Sequence, residues 1–133
     1  MEIIDPLNEK HKSFEEAEKY YNIPSDELYI KVIDHPGSVE RYTHNYQYLY
    51  VMGIGPRLFP GYPKSNQMWN NQSKYLNAFQ NHNHIKVFRQ FEDGNVIYIG
   101  NYIFMNYKKK IVETGFTYFE FELKRKFSFS IFD

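Results

Sequence analysis

The chain has 133 residues, no cysteine, and 16 basic residues balanced by 16 acidic ones. A chain of this length is expected to form one domain with its own core. The lack of cysteine excludes a disulfide scaffold, a thiolate metal site and a cysteine nucleophile. Aromatic residues make up 20% of the chain, a composition that favours β-strands.

Two kinds of targeting segment are absent from the sequence. No run of about 18 apolar residues occurs, so we predict no membrane span and no membrane partner. The segment Met1–Pro6 lacks the basic and apolar regions of a signal peptide. A cytoplasmic location is therefore expected.

The net charge of zero counts against nucleic acid, because phosphate neutralisation supplies much of the affinity of DNA-binding proteins. The charges are unevenly distributed, however. No Asp or Glu occurs between Arg41 and Gln90, whereas that stretch carries several cations. They are Arg41, Arg57, Lys64, Lys74, Lys86 and Arg89. The central third is therefore locally positive.

The first third of the chain is predicted to hold a helix and a strand. Ser13 is placed to cap a helix that runs to Tyr21, with Glu16 at the capping-box position. Pro24 ends this helix. Residues 28–33 alternate in apolar character, which predicts a strand.

A second strand, with a strong signal over Tyr46–Met52, leads directly into Gly53 and Gly55. Glycines at such a point permit close approach of another group to the backbone. The following segment, residues 56–71, is long and rich in proline, which favours an ordered binding loop. Its aromatic residues alternatively anchor the loop to the core; they are Phe59, Tyr62 and Trp69.

The remaining elements are predicted from spacing and turn residues. A helix is expected over 71–80, and strands over 85–89, 95–104, 116–124 and, at an edge, 127–132. Together these elements predict an α+β fold: a curved mixed sheet or half-open β-barrel of five to seven strands with two or three short helices. We divide the single compact domain into a lead-in, residues 1–37, and a core, residues 38–133.

Catalytic and metal motifs are weak in this sequence. Neither Gly-x-Ser-x-Gly nor Gly-x-x-x-x-Gly-Lys occurs. His82 and His84 form a His-x-His pair, but it lies in an Asn-rich turn, and a solvated turn is the better interpretation. We therefore predict no catalytic residue, no metal and no cofactor.

An acid–acid–lysine set typical of magnesium-dependent nucleases is also present. It comprises Asp93, Glu120, Glu122 and Lys124. The alternation of a strand explains the last three residues equally well, with their side chains pointing outward between inward-facing apolar ones. A small magnesium nuclease is therefore an alternative function, ranked below binding.

Base recognition is the remaining chemistry. Aromatic rings can stack an unpaired base, amides can read its edge, and cations can hold phosphates. A tyrosine-rich sheet that packs on itself has the same composition. On composition alone the two interpretations are nearly level.

The order of the motifs decides between them. A strand ends in Gly-x-Gly, an amide pair follows in a loop, then a short helix, and three further strands close the series. These motifs are Val51-Met52-Gly53-Ile54-Gly55, Asn66-Gln67, Gln72 or Ser73 through Leu76, Ile85-Lys86-Val87-Phe88-Arg89, Tyr98-Ile99-Gly100 and Phe119-Glu120-Phe121-Glu122-Leu123. The series, over about residues 38–124, resembles the SRA-like (SET- and RING-associated) domains of bacterial modification-dependent restriction systems.

Three positions depart from the pattern of that family. Val51 stands where the family has a tyrosine in the glycine strand, with Tyr50 one residue away and on the opposite face. Asn66 replaces the loop aspartate. Thr43, His44 and Asn45 follow Tyr42 where the family has an aspartate that reads the cytosine edge.

The resemblance implies a PUA-like module that flips a methylated or hydroxymethylated cytosine out of double-stranded DNA. The implied base pocket comprises Tyr42, His44, Asn45, Tyr50, Val51, Gly53 and Gly55. The implied rim comprises Tyr62, Asn66, Gln67 and Trp69, and the implied phosphate contacts are Arg57, Lys64 and Arg89. Tyr42 would stack the base, and His44 and Asn45 would read its edge.

The resemblance also implies partners. Cleavage would come from a nuclease domain or subunit, within a restriction or phage-defence system. The alternative from another class is a non-catalytic protein-interaction domain that docks a partner through its aromatic surface.

Overall fold

A strongly curled mixed sheet forms the body of the molecule. The computed structural model describes residues 10–24, 26–34, 40–55, 57–58 and 62–126, with the backbone alone for His44, Arg57, Leu58 and Tyr62. The strands are β1 (Lys10–His11), β2 (Tyr29–Ile33), β3 (Arg41–Tyr42), β4 (Tyr48–Met52), β5 (Arg57–Leu58), β6 (Tyr62–Pro63), β7 (Ile85–Gln90), β8 (Val96–Ile111) and β9 (Thr117–Lys126). The helices are α1 (Phe14–Tyr20) and α2 (Ser73–Gln80).

The sheet has the order β2-β7-β8-β9-β4-β3, and β1 pairs with the first residues of β8. Strands β2 and β7 are parallel, while the other pairs are antiparallel. Strands β5 and β6 form a separate two-stranded sheet. The predicted α+β fold with a curved, half-open mixed sheet is confirmed.

The core lies on the inner face of this curl. Alternate residues of the central strands are buried there, as the period of a strand requires, and the apolar side of α2 covers them. The most buried members include Leu49, Val87, Ile99, Phe121 and Leu123. A second, smaller cluster of Ala17, Phe88 and Val96 lies under α1.

The start of α1 matches its prediction. The Glu16 amide donates to the Ser13 hydroxyl at 3.1 Å, and the Glu16 carboxylate accepts from the Lys12 amide at 3.2 Å. These bonds satisfy amides that a helix start otherwise leaves without partners. Asn22 ends the helix with a φ of 54°, in the left-handed region where asparagine is tolerated.

Three elements differ from the predictions. Tyr46 lies in a 3₁₀ turn (His44–Tyr46) with a φ of 60°, so β4 begins only at Tyr48. Strand β8 continues to Ile111, past a register shift between Phe104 and Asn106. Helix α2 begins at Ser73, because a 3₁₀ turn over Trp69–Gln72 precedes it.

Some predictions lie outside the described residues. These are the first nine residues of the lead-in, the loop residue Phe59 and the edge strand over 127–132. The division of the domain at residue 37 stays a prediction. Among the helices that the structure describes, none is long and apolar enough to cross a membrane.

Candidate functional site

Strand β4 leaves the sheet through the glycine exit, Gly53–Gly55. The Gly53 amide still donates to the Phe119 carbonyl of β9 at 2.6 Å, so the ladder continues one residue beyond the strand. After this point no strand among the described residues lies beside the backbone to pair with its polar groups. Two buried glutamine side chains take that role.

The glutamine pair, Gln67 and Gln72, binds the glycine exit through side-chain amides. Gln72 accepts from the Ile54 amide and donates to the Ile54 carbonyl, both at 2.7 Å. Gln67 donates to the Gly53 carbonyl and accepts from the Phe119 amide, both at 2.9 Å. Each amide thus replaces a backbone partner, as buried polar groups require.

This arrangement explains why position 53 is glycine. A Cβ atom there would lie 2.6 Å from Gln72 Oε1 and 2.9 Å from Gln67 Oε1. Both distances are shorter than a van der Waals contact, and both oxygens are held by hydrogen bonds. Glycine is the residue that lets another group approach this closely.

A cleft adjoins the glycine exit, between β2 and the end of β4. Its volume is about 320 Å³, and it is lined by residues 29–31 and 51–55 together with Glu40 and Tyr75. Pockets for small ligands begin at about 300 Å³. The cleft is therefore large enough for one flat ring, with the end of β4 and the glycine exit at one wall.

Polar and aromatic groups line the cleft as well as backbone. The Glu40 carboxylate accepts from the Met52 amide at 3.2 Å, which fixes it at the mouth. The Tyr75 ring packs on Phe104 and Phe121, with ring centroids 5.2 and 5.1 Å apart. The cleft thus combines an anionic acceptor with an aromatic wall.

A second cluster surrounds Arg89 at the far end of β7. The Arg89 guanidinium binds both carboxylate oxygens of Asp34 at 2.7 to 3.1 Å and donates to the Tyr46 hydroxyl at 2.6 Å. It also lies over the Tyr42 and Phe91 rings, 4.8 and 4.3 Å from their centroids. Such a planar cation between rings and a carboxylate is a strong arrangement.

The protonation states in this cluster follow from its contacts. Burial disfavours the charged guanidinium, but hydrogen bonds to Asp34 and Tyr46 outweigh that effect, so the pKa of Arg89 is raised. Burial also raises the pKa of the Tyr42 phenol, and Arg89 opposes this rise. Arg89 is therefore a permanent cation, and its donors are directed inward at Asp34 and Tyr46.

The predicted pocket residues fall into separate groups. Val51, Gly53 and Gly55 line the cleft. Tyr42 lies with Arg89, its ring 5.0 Å from that of Tyr46. Tyr50 is on the outer face of β4, where Arg41 Cζ lies 4.4 Å from the centroid of its ring. Asn45 is exposed and has a φ of 64°. The side chain of His44 is not described.

The predicted rim residues are also divided. Gln67 is buried against the glycine exit. The Asn66 carboxamide accepts from the Thr117 amide at 2.9 Å. Trp69 is 47% exposed and packs on Tyr107 and Phe119. Lys64 is exposed, and for Arg57 and Tyr62 the structure describes the backbone of β5 and β6.

Sequence reasoning missed three residues of this site: Glu40, Gln72 and Tyr75. Glu40 lies directly before the stretch without acidic residues, and nothing in the sequence singles it out as a site residue until the cleft is known. Gln72 was assigned to a helix motif, although its side chain is completely buried. Tyr75 lies on the apolar side of the predicted helix, where a core role and a binding role look alike.

The acid–acid–lysine set is not assembled. Asp93 sits in the β7–β8 hairpin, where it accepts from the Asn95 amide at 2.9 Å. Glu120 lies on β9, opposite Lys108 of β8. Lys108 is twelve residues beyond Val96, the first residue of β8 after that hairpin, and twelve residues correspond to ~40 Å of strand. The structure therefore gives no support to the nuclease alternative.

Comparison with solved structures places this fold among SRA domains. The SUVH5 SRA domain in complex with hemimethylated CG DNA matches with a TM-score of 0.66 at 18% identity, covering 96% of this chain and 93% of that chain. The SUVH5 SRA domain bound to fully hydroxymethylated CG DNA matches with a TM-score of 0.59 at 21% identity, covering 74% of this chain. The match spans 65% of that SUVH5 chain.

A larger protein shows the same likeness. KRYPTONITE in complex with mCHG DNA and SAH matches with a TM-score of 0.58 at 16% identity, over 87% of this chain and 26% of that chain. No protein-family model and no curated protein matches the sequence. These superpositions show that the chain has an SRA-like fold.

Proposed function

We propose that this chain is a DNA-binding module that recognises a modified cytosine by holding the flipped base in the cleft beside the glycine exit. The observation that carries the proposal is the cleft itself, in a chain with the SRA fold. Its 320 Å³ accommodate one ring. Neighbours of the same fold were solved with methylated and hydroxymethylated DNA.

The walls of the cleft suit a flipped base. A base that leaves the duplex loses stacking worth a few kcal/mol, and stacking on an aromatic side chain restores ~1–3 kcal/mol. Tyr75 is our candidate for that ring. Gly53 and Gly55 line the cleft with backbone, while Gln67 and Gln72 fill the space that a side chain at either position would take.

Glu40 is our candidate for reading the base edge. A carboxylate accepts the amino group of cytosine, and it offers about four lone-pair sites. The Met52 amide occupies one such site and orients the group. The roles assigned earlier to Tyr42 in stacking, and to His44 and Asn45 in reading the edge, stay predictions.

The test is fluorescence anisotropy with four duplexes that differ at one CG step: unmodified, hemimethylated, fully methylated and hydroxymethylated. Burial of one methyl group is worth ~0.8 kcal/mol, so a modified duplex should bind on the order of fourfold more tightly or better. A 2-aminopurine beside the modified cytosine should brighten when that base leaves the stack. Equal affinity for all four duplexes would contradict the proposal.

Two substitutions locate the site. Tyr75→Leu keeps an apolar contact to the core but removes the stacking ring, and Glu40→Gln keeps the shape but removes the charge. Each should reduce the preference for modified DNA. Glu15→Gln, on the exposed side of α1, is the matched control and should change nothing.

The wider setting rests on the sequence resemblance alone. A nuclease domain or subunit as partner, and a role in restriction or phage defence, stay predictions. Pull-down of a nuclease by the full chain would test the first of these.

A further inference from the structure

The end of the β8–β9 pair extends past strand β7, and its last residues also extend past β4. Strand β7 pairs with β8 only as far as Tyr102, and β4 pairs with β9 only as far as Glu120. The pairing of β8 with β9 continues to Ile111 and Thr117. We call residues 107–111 with 117–121 the distal ribbon; Glu120 and Phe121 in it still pair with β4.

The distal ribbon carries three consecutive lysines. Lys110 contacts the buried Glu120 carboxylate at 3.0 Å, so its charge is neutralised. Lys108 and Lys109 are exposed, and within the described part of the chain neither forms an ion pair. Because side chains alternate along a strand, one ammonium group lies on each side of the ribbon.

Two exposed aromatic rings lie beside these charges. Tyr107 shares a face with Lys109, and the Trp69 ring is 5.2 Å from the Tyr107 ring. Trp69 is 47% exposed and Tyr107 is 38% exposed. Large apolar side chains grouped at a surface in this way mark an interaction site.

Lysines on an edge strand also prevent sheets from associating. That role accounts for Lys108 and Lys109, but not for the rings, since exposed rings favour association. Cations next to flat rings are the combination that binds a nucleic-acid strand, with phosphates on the cations and sugars or bases on the rings. The charge therefore favours a polyanion over a protein partner.

The ribbon is attached to the glycine exit. The Gln67 amide donates to the Thr117 carbonyl at 2.9 Å, and the Gln67 side chain bridges Gly53 and Phe119. One residue thus joins the ribbon to the backbone that lines the cleft. A duplex at the cleft would lie near both.

We propose that the distal ribbon is a second contact for double-stranded DNA, one that adds affinity without reading sequence or modification. Lys109 binds a phosphate beside Trp69 and Tyr107, which pack against sugars of the same strand. Lys108, on the other side of the ribbon, binds a phosphate elsewhere on the duplex. This inference rests on the proposed DNA-binding function, and it concerns a different surface from the cleft.

The first test is the salt dependence of binding to an unmodified duplex. Each lysine–phosphate contact contributes about one unit to the slope of log K against log salt. The variant Lys108→Gln/Lys109→Gln should therefore bind more weakly, with a slope shallower by about two. The control Lys12→Gln/Lys19→Gln changes the same charge near α1, at the other end of β8, and should keep the slope.

The second test uses Trp69, the only tryptophan in the chain. A saturating unmodified duplex should protect Trp69 fluorescence from acrylamide, and the double lysine variant should lose most of that protection. An unchanged slope in the variant, or quenching that DNA does not alter, would overturn the ribbon contact. Protection by a partner protein but not by DNA would also overturn it.

The outcomes separate the two proposals. The cleft is judged by the ratio of affinities for modified and unmodified DNA, and the ribbon by the salt slope and Trp69 protection. If the ratio is one while the slope still depends on the lysines, the modified-base proposal fails and the ribbon stands. If the affinity ratio is high while the salt slope is unchanged in the double lysine variant, only the ribbon proposal fails.

Discussion

At the scale of single residues, the glycine exit depends on the absence of a side chain at position 53. Gly53→Ala would place a Cβ atom 2.6 Å from the Gln72 oxygen. Gln72 could move only by giving up its two bonds to Ile54. Overpacking of this kind costs ~1–3 kcal/mol, so the urea midpoint should fall accordingly.

Gly55→Ala is the graded comparison for that experiment. Its Cβ atom would lie 3.2 Å from Gln67 Cγ, with the Gln67 amide nitrogen 3.5 Å away. A smaller loss of stability is expected, since the neighbour has to move by only a few tenths of an ångström. Equal losses for the two variants would argue against the glutamine pair as the cause.

The residue scale also shows what the sequence could not reveal. The double glycine is visible as a pattern, and it predicts close approach of another group. It does not say which group, because Gln67 lies 14 positions from Gly53 and Gln72 lies 18 positions from Ile54. A glutamine in a polar loop looks exposed until its partners are known.

At the scale of elements, Glu120 ties three strands together. Its carboxylate, on β9, accepts from Arg41 of β3 at 2.7 Å and contacts Lys110 of β8 at 3.0 Å. Burial alone would raise the pKa of Glu120. Hydrogen bonds from Arg41 and Lys110 outweigh that effect and hold the pKa below its usual value of 4.5.

The lowered pKa makes stability depend on pH. The stabilisation is fully present above the unfolded-state pKa of about 4.5, and it is lost as the pH falls through the lower folded-state value. Glu120→Gln should lower the free energy of unfolding at pH ~7 by about 1–3 kcal/mol. The difference from wild type should shrink below pH ~4.5 in urea titrations.

Glu122→Gln is the matched control, since Glu122 is the next residue on the same outer face. Glu122→Gln should lower the free energy of unfolding less at pH ~7, and its difference from wild type should not shrink comparably in acid. A constant gap between Glu120→Gln and wild type over the whole range would exclude the ion-pair explanation.

Strands could be predicted from the sequence where the alternation of apolar residues matches the face that the sheet buries. Strands β7 and β9 alternate apolar and polar residues, and the sheet buries that apolar side. The far half of β8 was missed, because a lysine run carries no alternation and its pairing with β9 is visible only in the structure. Tyr46 reads as a strand residue, yet the turn into β4 holds it at a φ of 60°.

At the scale of the whole molecule, the cleft arises from the curl of the sheet. The curl brings β2 beside the end of β4, although β2 is the strand at one edge of the sheet and β4 is next to the strand at the other edge. Glu40 and Tyr75, about 35 positions apart in the sequence, then line the same cleft. The sequence resemblance predicted that the glycine strand forms part of the site, but the opposite wall of the cleft is visible only in the structure.

The curl is held at its edge by the ion pair between Asp34 and Arg89. In the described part of the chain, β2 is an edge strand with β7 as its one partner, and parallel pairing is slightly weaker than antiparallel pairing. Asp34→Asn would leave the Arg89 cation, whose side chain is only 19% exposed, without its carboxylate. Loss of a hydrogen bond to a charged group costs ~1.5–3 kcal/mol.

Because this cost falls on an edge strand, it should appear as local opening before global unfolding. In Asp34→Asn, amides of β2 should exchange with deuterium faster, while those of β8 and β9 keep their protection. Glu27→Gln, which removes the more exposed contact to Lys86, should have a smaller effect. Acceleration of equal size in β2 and β9 would mean that the pair stabilises the whole sheet rather than its edge. An opened β2 would also displace one wall of the cleft, so Asp34→Asn should weaken the preference for modified DNA while the salt slope set by the ribbon remains.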